Sequence, residues 1–348
     1  RDGVGLTREL GGSDFLRDHR RQLRAWTFPL GGALVLMSLL IAANPVLGEI
    51  AEALLNLDVG ERGVERVLFW LGMALLVWPL IAPMRTTVSA GRVWAPRVSG
   101  PSALSVARGL VMFNAILGVQ TLMDALYLWG GTALPEGMTA AEYAHRGAYP
   151  LLVTALLAGA FALAARPFAT EDRRLRWLLL LWLAQNVALS LSAMLRLELY
   201  VEAFGLTYLR IHAAIWMALV AAGLGLTAWQ VWRGLPNRWL LIRSVALAAG
   251  VLYACSLINF AAIIAKENLS RAEFDGPYVC DLGPMAAGAI QASGRSFNAI
   301  ARDGYDVGRC HVAAPKIEGW RDWGFRAWRV NRYLDGLAEG VHEDPRRG

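Results

Sequence analysis

WLLLLWLAQNVALSLSAML (Trp177–Leu195), RLELYVEAFGLTYLRIH (Arg196–His212) and AAIWMALVAAGLGLTAWQVW (Ala213–Trp232) follow one another without interruption. The outer two segments are each about as long and as apolar as the ~20 residues that an α-helix needs to cross hydrocarbon. The middle one carries Arg196, Glu198, Glu202, Arg210 and His212. Charges at that density are expected where lipid gives way to water, so the three segments read as two spans joined by a polar interfacial turn.

Composition extends this reading to the whole chain. Of 348 residues, 56% are hydrophobic and 18% charged, and mean hydropathy is +0.39. An ordinary soluble domain is less apolar and more charged. The net charge of +6 and pI near 9.5 do not point to nucleic acid, because the arginines sit in clusters between apolar runs, where they act as topology signals. The only lysines are Lys266 and Lys316. Neither lies inside an apolar run, which excludes a retinal Schiff base on a buried lysine amine. The chain begins with Arg1, so a segment upstream of it is expected in the native protein.

The expected fold is all-α, a polytopic transmembrane bundle of about seven helices with a small extramembrane C-terminal domain. Its divisions are a basic N-terminal segment (1–25), a transmembrane domain (26–265) and a C-terminal domain (266–348). Spans are expected at Trp26–Val46, Val67–Ala82, Leu104–Trp129, Pro150–Ala165, Trp177–Leu195, Ile211–Trp232 and Trp239–Ala265. Arg1, Arg8, Arg17, Arg20, Arg21 and Arg24 precede the first span. Arg85, Arg92 and Arg97, then Arg166, Arg173, Arg174 and Arg176, then Arg233 and Arg238 fall in alternate connections. The positive-inside rule therefore puts the N-terminus in the cytoplasm and, with an odd number of spans, the C-terminal domain on the periplasmic face of a bacterial inner membrane. There Cys280 and Cys310 are placed to form a disulfide closing a loop of about thirty residues, with two unpaired thiols as the alternative. Cys255 reads as a packing residue of the last span. Helical stretches are expected at Gly283–Ala301 and Trp320–Leu337, and Trp26, Trp129, Trp177, Trp232 and Trp239 mark span ends as interfacial tryptophans do.

Ionisable and polar groups inside spans carry a cost and therefore a reason. Gln120, Asp124 and Tyr127 share one face of the third span, and Gln185, Ser192 and Arg196 share one face of the fifth. Ser256 and Asn259 lie three apart in the seventh. Asn44, in AANP, reads as a cap or kink at the end of the first. Between the third and fourth spans, LPEGMTAAEYAHRGAYP has Thr139 and Glu142 at capping-box spacing. A short interfacial helix is expected there, broken before the fourth span at Gly147–Pro150 and carrying Glu142, His145 and Arg146 on one face.

Two readings fit the cluster Asp124, Glu142, His145, Arg146, Arg196, Glu198, Glu202, Arg210 and His212. One is an ion-pair network that pins loops onto the bundle. The other is an outward-facing pocket in which Glu142 or Asp124 works with His145 as an acid/base pair while arginines hold a phosphate or carboxylate. Glu142 and His145 are spaced as metal ligands can be, but the remaining ligands are not evident, and no second axial histidine accompanies His212 for haem. No metal or cofactor is expected. Phosphate-binding loops, dinucleotide fingerprints, nucleophile elbows and paired CxxC motifs do not occur.

AANP at Ala42–Pro45, NAILGVQTLMDALYLWGG, LPEGMTAAEYAHRGAYPLLVTALLA, QNVALSLSAMLRLELYVEAFGLTYLR, NLSR at Asn268 and LGP at Leu282 together resemble an uncharacterised family of bacterial polytopic inner-membrane proteins, a domain of unknown function of the 4153/4173 type. The resemblance runs to about Pro284. It implies a fold and a bacterial inner-membrane address, and it transfers no activity and no catalytic residue. The expected role is an accessory or scaffold subunit of a bacterial envelope assembly, with lipid and membrane protein partners and no nucleic acid. An enzyme acting on a lipid-linked or anionic envelope substrate at the outer interface is the alternative, and a transporter the third reading.

Overall fold

The computed structural model describes residues 25–55, 63–81, 102–130, 140–301 and 313–342. Among them every regular element is helical. Six helices among the described residues are long and apolar enough to cross a membrane: α1 (Ala25–Ala43), α4 with its continuation (Ala103–Trp129), the Pro150–Glu171 part of α5, α6 (Arg173–Phe204), α7 (Tyr208–Arg233) and α8 (Asn237–Leu257). The protein is an all-α, multi-pass membrane protein. Between α1 and α4 lie α2 (Pro45–Leu55) and α3 (Gly63–Ile81), the latter at the expected second span. The chain divides into two compact units, Arg1–Arg196 with Met217–Ile242, and Leu197–Trp216 with Arg243–Gly348.

In the first unit α1 is the packing centre, and its small residues explain why. A Cβ on Gly31 would lie 2.9 Å from the Gly72 carbonyl oxygen, and one on Gly72 would lie 2.8 Å from that of Gly31. Backbones this close permit no side chain, the usual device for tight helix crossings in lipid. Beside this crossing Phe113 fills the space over Gly32. Phe113 also joins Phe28, Phe161 and Trp182 in a cluster with ring centroids 5.4–6.2 Å apart, tying α1, α4, α5 and α6 together. The α7–α8 turn is fixed by Gly234, at φ +65°, and by Arg166, which donates to the Leu235 carbonyl and the Asn237 side chain.

Four local expectations are corrected. α1 ends at Ala43 rather than Val46, because Asn44 breaks it and caps α2 through a 3.1 Å bond from the Val46 N–H to Asn44 Oδ1. α5 runs unbroken from Ala140 to Glu171 through both Pro150 and Pro167; proline is tolerated in membrane helices because neighbouring groups re-satisfy the freed carbonyls. Thr139, its expected cap, lies outside the described residues. α6 continues nine residues past Leu195, so the expected polar turn is helical at both ends and the chain reverses only over Gly205–Thr207, with Gly205 at φ +79°. At 1.5 Å per residue the 32 residues of α6 span roughly 48 Å, well beyond a hydrocarbon core of about 30 Å. Finally, the expected seventh span stops at Leu257, and after Ile258 a new helix, α9 (Phe260–Leu269), begins under an Asn259 cap.

The second unit surrounds α9. After it come α10 (Gly276–Cys280), a 3-10 turn (Pro284–Ala286), α11 (Ala287–Ala292), α12 (Phe297–Ala301) and α13 (Phe325–His342). Its core contains Ile264, Leu269, Val279, Cys280, Ile290 and Ile300, and Leu206 and Ile211 of the α6–α7 hairpin pack against it. Asn268, 3% exposed, binds the backbone of Leu206 in both directions, accepting from its N–H at 2.7 Å and donating to its carbonyl at 2.9 Å. A side chain on Gly205 would meet Asn268 Oδ1 at 2.7 Å, so reversal and anchor are built together. Gly276 approaches the Ile300 carbonyl too closely for any Cβ.

Candidate functional site

Four buried polar side chains of the first unit, Asn44, Gln120, Asp124 and Arg196, converge on the elbow between α1 and α2. Asn44, whose oxygen caps α2, donates from Nδ2 to Gln120 Oε1 at 3.2 Å. Gln120 donates from Nε2 to Oδ1 of Asp124, one turn further along α4, at 2.9 Å. Arg196 of α6 donates from Nη2 to the same Oδ1 at 2.5 Å and from Nη1 to the Ala43 carbonyl at 3.1 Å. Ala43 precedes Asn44, so the circuit closes on itself.

Helical spacing produces this arrangement. Gln120 and Asp124, four apart, present to the same side of α4, and Arg196 sits on the buried face of α6 with Ser192, Ala193 and Leu189. Arg196, Gln120 and Asn44 are fully buried and Asp124 is 2% exposed. A lone charge at such a site would be expelled or neutralised. A carboxylate and a guanidinium in direct contact, each with further hydrogen-bond partners, can remain. The α4 helix widens into a π-turn at Ala125–Trp129, immediately after Asp124. Asp124 Oδ2 is buried and makes no hydrogen bond among the described residues.

The rest of the sequence-derived cluster divides. Glu198, Glu202, Arg210 and His212 belong to the second unit. Glu198, Glu202 and His212 are exposed, and neither glutamate side chain forms an ion pair among the described residues. Arg210 donates to the Phe204 carbonyl at 2.8 Å and to that of Gly205, with its guanidinium 4.5 Å from the Tyr200 ring centroid. It therefore caps the end of α6. Glu142, His145 and Arg146 fall within the first turns of α5, and their side chains lie outside the described residues. Among the described residues no group of three His, Cys, Asp or Glu side chains could hold a metal ion. Cys280 is disulfide-bonded and Cys255 is free, while Cys310 lies outside the described residues.

Sequence reading put Asp124 and Arg196 in one cluster, but left Gln120 as part of a stripe and Asn44 as a cap or kink, outside it. It passed over Asn268 and Arg271, both in the NLSR string. Arg271 donates to the Glu202 carbonyl at 2.6 Å and to Glu267 at 3.1 Å. An asparagine followed three residues later by an arginine, just where hydropathy falls, was the available signal. Asn259, seen as a polar residue within a span, instead starts α9 and donates to the Met285 carbonyl at 2.8 Å.

No curated protein matches the chain, and no solved structure does. Residues 5–292 match the family described as "Domain of unknown function (DUF4153)", a stretch that takes in the buried circuit, the α6–α7 hairpin and the second unit as far as α11. The chain belongs to this uncharacterised family.

Proposed function

We propose that the protein is an accessory or scaffold subunit of a bacterial envelope assembly, held in the inner membrane with its N-terminus cytoplasmic and its C-terminal domain (266–348) periplasmic. The observation that carries this reading is α8. None of its best apolar window is buried against the rest of the chain, whereas half of the window in α1 is. Leu241, Val245, Leu252 and Tyr253 all stand exposed along it, and Ala248, Ala249 and Gly250 interrupt them at mid-helix. Small residues between large ones suit close approach by another membrane helix. The buried circuit supports the same reading, since it commits Asp124 and Arg196 to joining helices.

The test is photocrosslinking from Leu252 and Tyr253 in native membranes, followed by mild solubilisation. A single protein adduct that copurifies in stoichiometric amount is the expected result. Adducts to lipid alone, from a protein that purifies as a monomer, would remove the scaffold reading.

An enzyme of a lipid-linked or anionic substrate is the second reading, favoured by the unpartnered Asp124 Oδ2 beside a π-turn, a helical irregularity that recurs at functional sites. It requires turnover of such a substrate by purified protein and its loss in both Asp124→Asn and His145→Ala.

A further inference from the structure

The second unit contains a groove of about 620 Å³ between α9, α11 and α13, within the ~300–1,000 Å³ usual for small-molecule sites. Periodicity on two helices builds it. On α13, Arg326, Arg329, Val330 and Tyr333 occupy positions i, i+3, i+4 and i+7, and on α9, Ala262, Lys266 and Leu269 follow the same spacing. Gly288 of α11 brings the helices together: a Cβ there would lie 2.9 Å from the Tyr333 ring.

Its chemistry is asymmetric. Ile263, Met285 and Val330 supply an apolar floor, while Lys266, Arg326 and Arg329 supply three positive charges, and no Asp or Glu is among the described lining residues. Lys266 and Arg326 make no side-chain hydrogen bond or ion pair among the described residues. Three cations around an apolar trough, without a counter-charge, match a ligand with a hydrocarbon body and an anionic head. Leu257 also lines the groove and is the last residue of the candidate span α8, so the trough opens where that helix ends. On and just before α13 the second unit also exposes Trp320, Trp323 and Trp328, with Arg321 stacked on Trp320 at 5.3 Å and Arg332 on Trp328 at 5.3 Å. Tryptophan and arginine in this mixture are typical of surfaces that rest in lipid headgroups.

We propose that this groove is a binding site for one anionic phospholipid, its acyl chain along Ile263, Met285 and Val330 and its phosphate held by Lys266, Arg326 and Arg329. The site is distinct from the α8 surface and holds whether or not the protein is a scaffold.

The test uses the full chain in neutral detergent, titrated with short-chain phosphatidylglycerol, with the matching phosphatidylcholine and with inorganic phosphate, and read by native mass spectrometry. One phosphatidylglycerol per chain is expected, with phosphatidylcholine and phosphate each weaker by on the order of tenfold or more, because each lacks either the net charge or the chain. The combined Lys266→Gln, Arg326→Gln and Arg329→Gln variant is expected to lose the preference for phosphatidylglycerol. Ala289→Trp, which fills the trough and leaves the charges, is expected to weaken both lipids. If the triple variant does not fold, Arg326→Gln alone is expected to reduce the preference severalfold. Equal affinity for the two lipids, phosphate binding as tight as phosphatidylglycerol, or an unchanged preference in a folded charge variant would each overturn the proposal.

Discussion

Asp124 and Arg196 each bring a full charge into the interior, and their pairing makes both tolerable. Removing one partner strands the other. Asp124→Ala or Arg196→Ala is expected to destabilise by about 3–5 kcal/mol, seen as a large fall in unfolding temperature in detergent. The double variant Asp124→Leu with Arg196→Met removes both charges and is expected to cost less than either single change. A double variant worse than both would show that the pair does more than neutralise itself. Gly205 is a second sensitive point. Gly205→Ala meets a positive φ and the Asn268 oxygen together, and a loss of about 1–3 kcal/mol is expected from chemical denaturation.

At the level of elements, hydropathy identified most of the helices because lipid imposes a simple rule: a span must be long, apolar and internally hydrogen-bonded. The rule weakens at helix ends. Leu197, Leu199 and Val201 alternate with Arg196, Glu198, Tyr200 and Glu202 in a segment that composition alone reads as a turn, yet it continues α6 as helix to Phe204. Pro150 suggested a break through local sterics, and the helix runs through it. Asn259 was legible as a polar residue but not as a cap, since apolar sequence on both sides hid the break at Ile258, and its second partner, the Met285 carbonyl, is 26 residues away. The α1–α3 crossing was not foreseen, because an isolated glycine does not reveal which backbone it will touch. Gly31→Val or Gly72→Val is expected to cost about 1–3 kcal/mol or more through overpacking, measured by thermal unfolding. Gly223→Val, where open space surrounds the added group, serves as the control.

Across the whole molecule, arginine placement, with α3 counted as a span beside the six longer helices, is the ground for the proposed cytoplasmic N-terminus and periplasmic 266–348 region. The bonded state of Cys280 agrees with an oxidising compartment, and Cys310 is the partner we propose. Non-reducing peptide mapping is expected to find Cys280 joined to Cys310. Cys280→Ser is expected to lose about 3–4 kcal/mol, as opening a loop of roughly thirty residues would. A membrane-impermeant thiol reagent, applied to cells after gentle reduction, is expected to reach the second unit; labelling only after lysis would reverse the assigned orientation. The two cysteines were visible in the sequence. The groove was not, because Lys266 and Arg326 are 60 positions apart and only the fold of the second unit brings α9 and α13 to one place.

The circuit that ends at Ala43 also bears on biogenesis. Asp124 and Arg196 are 72 positions apart and Ala43 and Arg196 are 153 apart, so the acid leaves the ribosome well before its counter-ion exists. At about 5–20 residues per second, the nascent chain carries that unmatched carboxylate for roughly 4–14 s. A ribosome stalled before Arg196 should therefore hold α4 in a form easily extracted from the membrane, and lengthening the chain past that arginine should secure it.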